Sequence, residues 1–121
     1  MSDNSLHRIQ VFDRQGVYMR SFGQRGAGEG QLYFPSGLGF TGDGDIVVAD
    51  SLNHRVQVLR QDGTFVRAFG SRGSGEAMFS HPRSLGVGAG GSIVVADWGN
   101  HCVQVMILPT GLDCAHRRVF T

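Results

Sequence analysis

The feature that most constrains the fold of this chain is a sequence repeat with a period of 47 residues. Three of the recurring positions hold an aspartate (Asp3, Asp50 and Asp97), a histidine (His7, His54 and His101) and a glutamine (Gln10, Gln57 and Gln104). Self-similarity at a fixed period of this length marks an array in which each repeat is one supersecondary unit. The chain is therefore expected to have a repeat architecture.

The complete repeat covers residues 23–69 and reads as four short strands after a Gly-rich crossover at 23–35. Residues 46–49 are continuously apolar, as in a strand covered on both faces, whereas residues 55–58 alternate and so predict one wetter side. Asp62 and Gly63, between two apolar runs, predict a tight hairpin turn. The pattern predicts a four-stranded antiparallel meander.

The segments on either side are incomplete copies of this repeat. Residues 1–22 match only its last two strands, and residues 70–108 match the crossover and three strands without a clear fourth. After Leu108 the pattern decays, so residues 109–121 are predicted to be an irregular tail. The predicted organisation is one complete unit between two partial ones.

Such a sheet cannot cover both of its own faces, and radial repetition of four-stranded blades is how β-propellers solve this problem. The predicted fold is therefore all-β, a β-propeller with one complete and two partial blades. Open strand edges at the ends are a template for pairing with other strands. We expect either self-association or further blades in a longer chain.

Composition excludes several classes of function. All eleven basic residues are Arg, so lysine-based chemistry such as a Schiff base or a P-loop is excluded. The net charge of +1 gives no whole-molecule argument for nucleic acid, and the two cysteines form no recognisable framework. No apolar run approaches ~18 residues and no signal-peptide pattern opens the chain. These features predict a cytoplasmic protein with no membrane contact.

Residues 46–59 and 62–76 carry a family resemblance. They resemble the NHL repeat, and the long crossover makes the chain most similar to the C-terminal propeller of tripartite-motif (TRIM-NHL) proteins, over residues 3–107. The chain looks like a fragment of such a propeller. Two positions depart from the pattern, because Leu6 replaces the corner Asn and Cys102 replaces the corner Arg.

The resemblance implies a six-bladed ring that acts as a non-catalytic platform for protein partners, in some ligases as the part that recognises the substrate of ubiquitination. The alternative implied function is binding of single-stranded RNA by one ring face. Neither implies a cofactor. RING and B-box clusters are absent from this sequence, so any ubiquitin-ligase activity would lie outside these residues.

Several apparent chemical motifs are better explained as structure. Residues 37–42 satisfy a dinucleotide-binding fingerprint, but a hairpin and a strand follow them where that site needs a helix. Histidines one repeat apart lie around a ring and do not converge on one metal ion. We predict no catalytic or metal-binding residues, and we predict structural repeat corners at Asp50, Asn53, His54, Arg55, Asp97, Asn100 and His101. The two corner aspartates are expected to cap their own turns in Asx turns and to pair with a nearby Arg.

One surface carries a functional signal. Corners and crossovers of a propeller open on one common face, and Arg residues interleaved with aromatic ones are used to anchor proteins and to stack RNA bases. The alternative is an ordinary solvated loop, because Glu29 and Glu76 lie four residues from two of the arginines and neutralise part of their charge. The predicted binding face consists of Arg25, Tyr33, Phe34, Arg72, Arg83 and Trp98.

Overall fold

A computed structural model of the chain describes residues 2–3, 7–73, 78–88, 92–107 and 115–120. Within these ranges lie eleven strands: β1 (Ser2–Asp3), β2 (Arg8–Phe12), β3 (Tyr18–Phe22), β4 (Pro35–Phe40), β5 (Ile46–Asp50), β6 (Arg55–Leu59), β7 (Phe65–Phe69), β8 (Pro82–Val87), β9 (Ser92–Asp97), β10 (Cys102–Ile107) and β11 (Ala115–Phe120). Short 3-10 turns at Ser51–Asn53 and Trp98–Asn100 follow β5 and β9.

The strands form three antiparallel sheets, which we number as blades. Blade 1 contains β1, β2 and β3, blade 2 contains β4 to β7, and blade 3 contains β8 to β11. Every sheet is a meander in which strands adjacent in sequence are paired. The prediction of an all-β fold made of antiparallel propeller blades is confirmed.

The centre of blade 2 is covered on both faces. All five residues of β5 are buried, as their continuous apolar run predicts. The prediction of a wetter side for β6 is wrong, because Gln57 is fully buried. Its side-chain amide donates to the carbonyl of Gln31 and its Oε1 accepts from the backbone N–H of Gly30, so the polar group is hydrogen-bonded inside the blade.

The hairpin between β6 and β7 has the predicted turn. Gly63 has φ 94, a conformation that costs little without a β-carbon, and its N–H donates to the carbonyl of Arg60 over 2.9 Å. The backbone N–H of Thr64 donates to Asp62 Oδ1 over 2.9 Å. Hydrogen bonds from Thr64 lower the pKa of the exposed Asp62 carboxyl.

Two apolar clusters lie between the blades. The cluster between blades 2 and 3 has Val47, Val56, Val58, Phe79, Ile93 and Val95 at its centre. The cluster between blades 1 and 2 has Ile9, Leu32, Ile46, Val48 and Leu59. Each cluster joins neighbouring blades only, as in other repeat proteins.

Blade 3 has a fourth strand that the sequence analysis missed. The predicted irregular tail at 109–121 includes β11, which pairs with β10 from Cys102↔Phe120 to Ile107↔Ala115. Val119 pairs with Val103 in blade 3, as Phe69 pairs with Val56 in blade 2. Val119 thus stands three residues after the position that the 47-residue period predicts. A longer hairpin thus shifts the strand out of the repeat pattern, and a search at fixed offset does not find it.

Blade 1 also has one strand more than predicted. β1 pairs with β2 through Ser2↔Ile9 and Asp3↔Arg8, just as the end of β5 pairs with β6. The two residues of β1 are too short to produce a hydrophobic pattern of their own. Blade 1 therefore contains the end of a second strand as well as the predicted last two.

Candidate interaction surface at the blade corners

The corners that join β5 to β6 and β9 to β10 share one backbone conformation. Each 3-10 turn ends at a histidine in the left-handed region, with φ 57 at His54 and φ 53 at His101. His54 also hydrogen-bonds through Nδ1 to the carbonyl of Ser80 in the crossover to the next blade. The corner histidine thus links a turn to the neighbouring blade, an arrangement that needs no metal.

Asp50 is the centre of the hydrogen-bond network behind the first corner. The carboxylate is fully buried, and Arg55 Nε donates to its Oδ2 over 2.8 Å. The same oxygen accepts from Asn53 Nδ2, and Oδ1 accepts from the backbone N–H of Tyr33. The predicted pairing with an Arg is found, but the Asx-turn prediction is wrong, because Asp50 makes no capping bond to its own turn.

The network around Asp50 also holds the crossover that precedes the blade. Arg55 donates to the carbonyls of Ala27, Gly28 and Gln31 over 2.8 to 3.1 Å, and Asn53 donates to that of Gly26 over 2.6 Å. One buried carboxylate and its partners therefore give a loop with little regular structure a defined path.

Asp97 has the equivalent place in blade 3, with different partners. Its carboxylate accepts from the backbone N–H groups of Ser80 and His81 and from Asn100 Nδ2. In the described part of blade 3 the guanidinium of blade 2 has no counterpart, because the buried Cys102 occupies the position of Arg55. The carboxylate is satisfied by a second backbone donor.

Four predicted residues of the binding face lie close to a partner on it. The Arg25 guanidinium carbon lies 4.7 Å from the centre of the Tyr33 ring, and its NH2 donates to the tyrosine hydroxyl over 3.0 Å. The Arg83 guanidinium carbon lies 5.1 Å from the centre of the Trp98 ring. Both are cation–π arrangements at the surface, worth roughly 0.5–1 kcal/mol each when exposed.

Phe34 is held in an uncommon backbone conformation. Its φ is 55, which is a genuine outlier for a bulky residue. The cause is its backbone N–H, which donates to His7 Nδ1 over 3.0 Å, whereas the N–H of His81, its counterpart in the next repeat, donates to Asp97. His7 thus turns Phe34 so that its ring packs edge-on against the imidazole at 4.8 Å and stays 39% exposed.

A shallow pocket of about 170 Å³ brings Phe34 together with Arg83 and Trp98 between blades 2 and 3. The remaining lining comes from Ser36, Ser51, Leu52 and His81. Six of these seven residues are three repeat positions seen twice: Phe34 with His81, Ser36 with Arg83, and Ser51 with Trp98. Sequence reasoning missed the four further residues, although the 47-residue period would have paired three of them with predicted ones.

Two parts of the predicted surface differ from expectation. Arg72 is exposed, but no contact in the described part of the chain joins its side chain to the pocket. Arg25 bonds to Tyr33, and the described structure shows no ion pair between Arg25 and Glu29. Glu76, the second predicted neutralising residue, lies outside the described residues.

The glycine-rich fingerprint has a packing role. Gly37 lies in β4, where a β-carbon would come within 3.0 Å of the Arg83 carbonyl and 3.1 Å of Ser84 Cα. The glycine lets two blades approach backbone to backbone, close to the pocket. Strand β4 leads into β5 through a hairpin, so no helix N-terminus is available to hold a phosphate.

No group of three or more His, Cys, Asp or Glu side chains in the described ranges is arranged to hold a metal ion. Among those same ranges no helix has the length and apolar character needed to cross a membrane.

Comparisons with solved structures support the fold. The chain aligns over 93% of its length with virginiamycin B lyase from Staphylococcus aureus (TM-score 0.68, 15% identity) and with a protein of unknown function from Bacteroides caccae (TM-score 0.68, 15% identity). It spans 34% and 38% of those chains. Likeness at this level of identity concerns the fold alone.

Sequence comparisons concern the repeat itself. The chain is 53% identical over 36 residues to RING finger protein nhl-1 of Caenorhabditis elegans, which covers 30% of this chain and 4% of that protein. The sequence model of the NHL repeat matches residues 32–59 and 79–106, the segments that contain the two corners described above. The chain therefore contains two segments that match the NHL repeat.

Proposed function

We propose that this chain is a non-catalytic protein-interaction platform and that its partner binds the pocket of Phe34, Arg83 and Trp98. The observation that supports this most is the exposure of Trp98. Its side chain is 63% accessible although it lies beside an arginine in a concave site. Tryptophan and arginine are the residue types most enriched at the energetic centres of protein interfaces.

The relative nhl-1, which matches 36 residues of this chain, is named a RING finger protein. On this basis we further propose that these blades present the substrate of a ubiquitin ligase, with the transfer chemistry supplied by segments beyond the present residues. We propose the cytoplasm as the location of this ligase and its substrate.

Single-stranded RNA is the alternative ligand, and one observation favours it. Two arginines each lie over an aromatic ring, Arg25 over Tyr33 and Arg83 over Trp98. Rings for base stacking next to cations for phosphate contact are the elements used by single-strand binders. Affinity for RNA would fall steeply with salt because bound phosphates release counterions, whereas an aromatic protein contact would not.

Photo-crosslinking separates these functions. A benzophenone amino acid would replace Trp98 in one variant and Phe40 in a control variant. Phe40 is equally exposed, at 62%, but lies at the end of β4 remote from the corner pocket. After irradiation in cells, adducts would be treated with ribonuclease or protease and identified by mass spectrometry.

The proposal predicts discrete protein adducts at position 98 that survive ribonuclease and are absent at position 40. The further substitution Arg83→Ala should reduce their yield several-fold, because the guanidinium beside the ring is lost. If the adducts at position 98 consist of RNA, the protein-binding proposal is wrong and RNA binding is the function of this pocket. Equal labelling at both positions would contradict any specific role for the pocket.

A further inference from the structure

The pocket of Phe34, Arg83 and Trp98 lies between two blades that each have four strands. One wall belongs to blade 2 and the other to blade 3. Its volume of about 170 Å³ is well below the roughly 300–1,000 Å³ of sites for drug-sized molecules. A space of this size suits one side chain of a partner protein better than a whole cofactor.

The charge of the pocket is unbalanced. Its described lining includes the Arg83 guanidinium and no acidic side chain. The carboxylates of the two corners, Asp50 and Asp97, are 0% and 1% exposed and accept hydrogen bonds from their own corners and crossovers. In the part of the chain that the structure describes, no carboxylate forms an ion pair with Arg83. A ligand with a negative charge would supply the missing counter-charge.

The Arg83 guanidinium is held where it can bind such a group. Its carbon lies over the Trp98 ring, 5.1 Å from the ring centre. No hydrogen bond to another described residue accompanies this contact, so the N–H donors remain available to a ligand. Arginine presents these donors as a fork that matches the two oxygens of a carboxylate. Because the ring restricts the side chain beforehand, less conformational entropy is lost on binding.

We propose that the ligand of this pocket is an acidic peptide segment of a partner protein, whose apolar side chain enters the pocket while a nearby carboxylate pairs with Arg83. This inference rests on the proposed function and specifies the chemistry of the partner. Phe34, Leu52 and Trp98 supply the apolar contact. A single guanidinium balances one carboxylate, whereas a nucleic acid strand brings a phosphate with every nucleotide.

Selection from a peptide library tests the proposal. Random heptapeptides displayed on phage would be selected on the purified chain, on Arg83→Gln and on the control Arg60→Gln, which changes an exposed arginine outside the pocket lining. The unmodified chain and the control should select peptides that combine an apolar residue with Asp or Glu, and Arg83→Gln should lose the acidic preference. Fluorescence anisotropy should show that replacing the acid by its amide weakens binding to the unmodified chain about tenfold. The same replacement should not change binding to Arg83→Gln.

The charge-reversed variant Arg83→Glu should select peptides with Lys or Arg in place of the acid. Acidic peptides that Arg83→Gln still selects would overturn the pairing with Arg83. Neutral apolar peptides that the chain selects and Trp98→Ala loses would overturn the acidic ligand and leave the proposed function standing. If the chain selects no more peptides than Trp98→Ala does, both this inference and the protein-binding proposal are wrong. Binding of oligouridine that is tighter than that of any selected peptide and is lost in Arg83→Gln would assign the guanidinium to phosphate and overturn the inference.

Discussion

At the scale of single residues, the corner depends on one buried charge. Asp50 is fully buried and Arg55 is 14% exposed, so water screens their ion pair weakly. The remaining hydrogen-bonding groups of both partners are satisfied, which offsets the cost of burying them. Asn53 and Gln57 donate to the carboxylate, and the guanidinium donates to three backbone carbonyls. Removing one partner would leave the other buried without its counter-charge.

Arg55→Ala should therefore lower the free energy of unfolding by about 3 kcal/mol, because it strands the Asp50 carboxylate and frees three crossover carbonyls. Urea denaturation followed by tryptophan fluorescence and circular dichroism measures this. Arg60→Ala, at an exposed hairpin position, is the matched control and should cost no more than about 0.5 kcal/mol. Equal effects of the two substitutions would show that the pair contributes nothing specific.

How much of the site was predictable depends on how each residue is positioned. The pairing of an arginine with Asp50 followed from the repeat alone, as did the grouping of aromatic residues with Arg83 at one end of the blade. The orientation of Phe34 did not follow, because it depends on whether one backbone N–H donates to His7 or to the corner aspartate. Sequence patterns report side-chain types and spacings, but they do not show which acceptor a given N–H uses.

At the scale of elements, the crossovers are controlled by glycines at repeated positions. Gly23 and Gly70 have φ 100 and 103, one at the start of each crossover. A β-carbon at Gly70 would overlap the ring of Phe79, a fully buried residue of the cluster between blades 2 and 3. The backbone conformation and the close approach both require glycine there.

A series of glycine substitutions separates these two causes. Gly42→Ala should cost nothing, because its backbone is ordinary and no atom lies within 4 Å of the new carbon. Gly16→Ala should cost about 1 kcal/mol, since its φ of 84 is strained for alanine while the space is open. Gly70→Ala combines strain and overlap and should cost about 3 kcal/mol. Thermal unfolding would rank the three, and any other order would refute the explanation.

The elements themselves were mostly predictable, and each miss has its own physical cause. A fixed period detects strands only where loop lengths are conserved, which is true up to β10. The connection that leads to β11 is longer by three residues. The residue equivalent to Phe69 is therefore Val119, whereas a fixed period of 47 residues points to His116. The burial of Gln57 was missed for a different reason, since a polar residue is assigned to the surface unless its hydrogen-bond partners are known.

At the scale of the whole molecule, stability is divided between two interfaces. The cluster with Ile9 and Leu32 joins blades 1 and 2, and the cluster with Phe79 and Ile93 joins blades 2 and 3. Among the residues that the structure describes, none belongs to both clusters. An array with contacts between neighbours only is expected to lose its units separately.

Ile93→Ala should therefore loosen the molecule unevenly. It removes a buried side chain from the second cluster, at a cost of about 3 kcal/mol. Hydrogen exchange should show amides of β9 and β10 losing protection while those of β2 and β3 keep theirs. Ile9→Ala, in the first cluster, should give the reverse pattern. Uniform loss in both variants would mean that the three blades unfold as one cooperative unit.

The bonds that hold the first crossover have a consequence for how such a protein evolves. Asn53, Arg55 and Gln57 all donate to main-chain carbonyls of residues 26–31, which every amino acid carries. Away from the repeated glycines, the identity of the crossover residues is thus less constrained than their number. Both crossovers accordingly have the same length, while seven of their thirteen positions differ. Point substitutions in the loop can change the surface that contacts a ligand without breaking these bonds. Insertions and deletions in the same loop would break them and would be selected against.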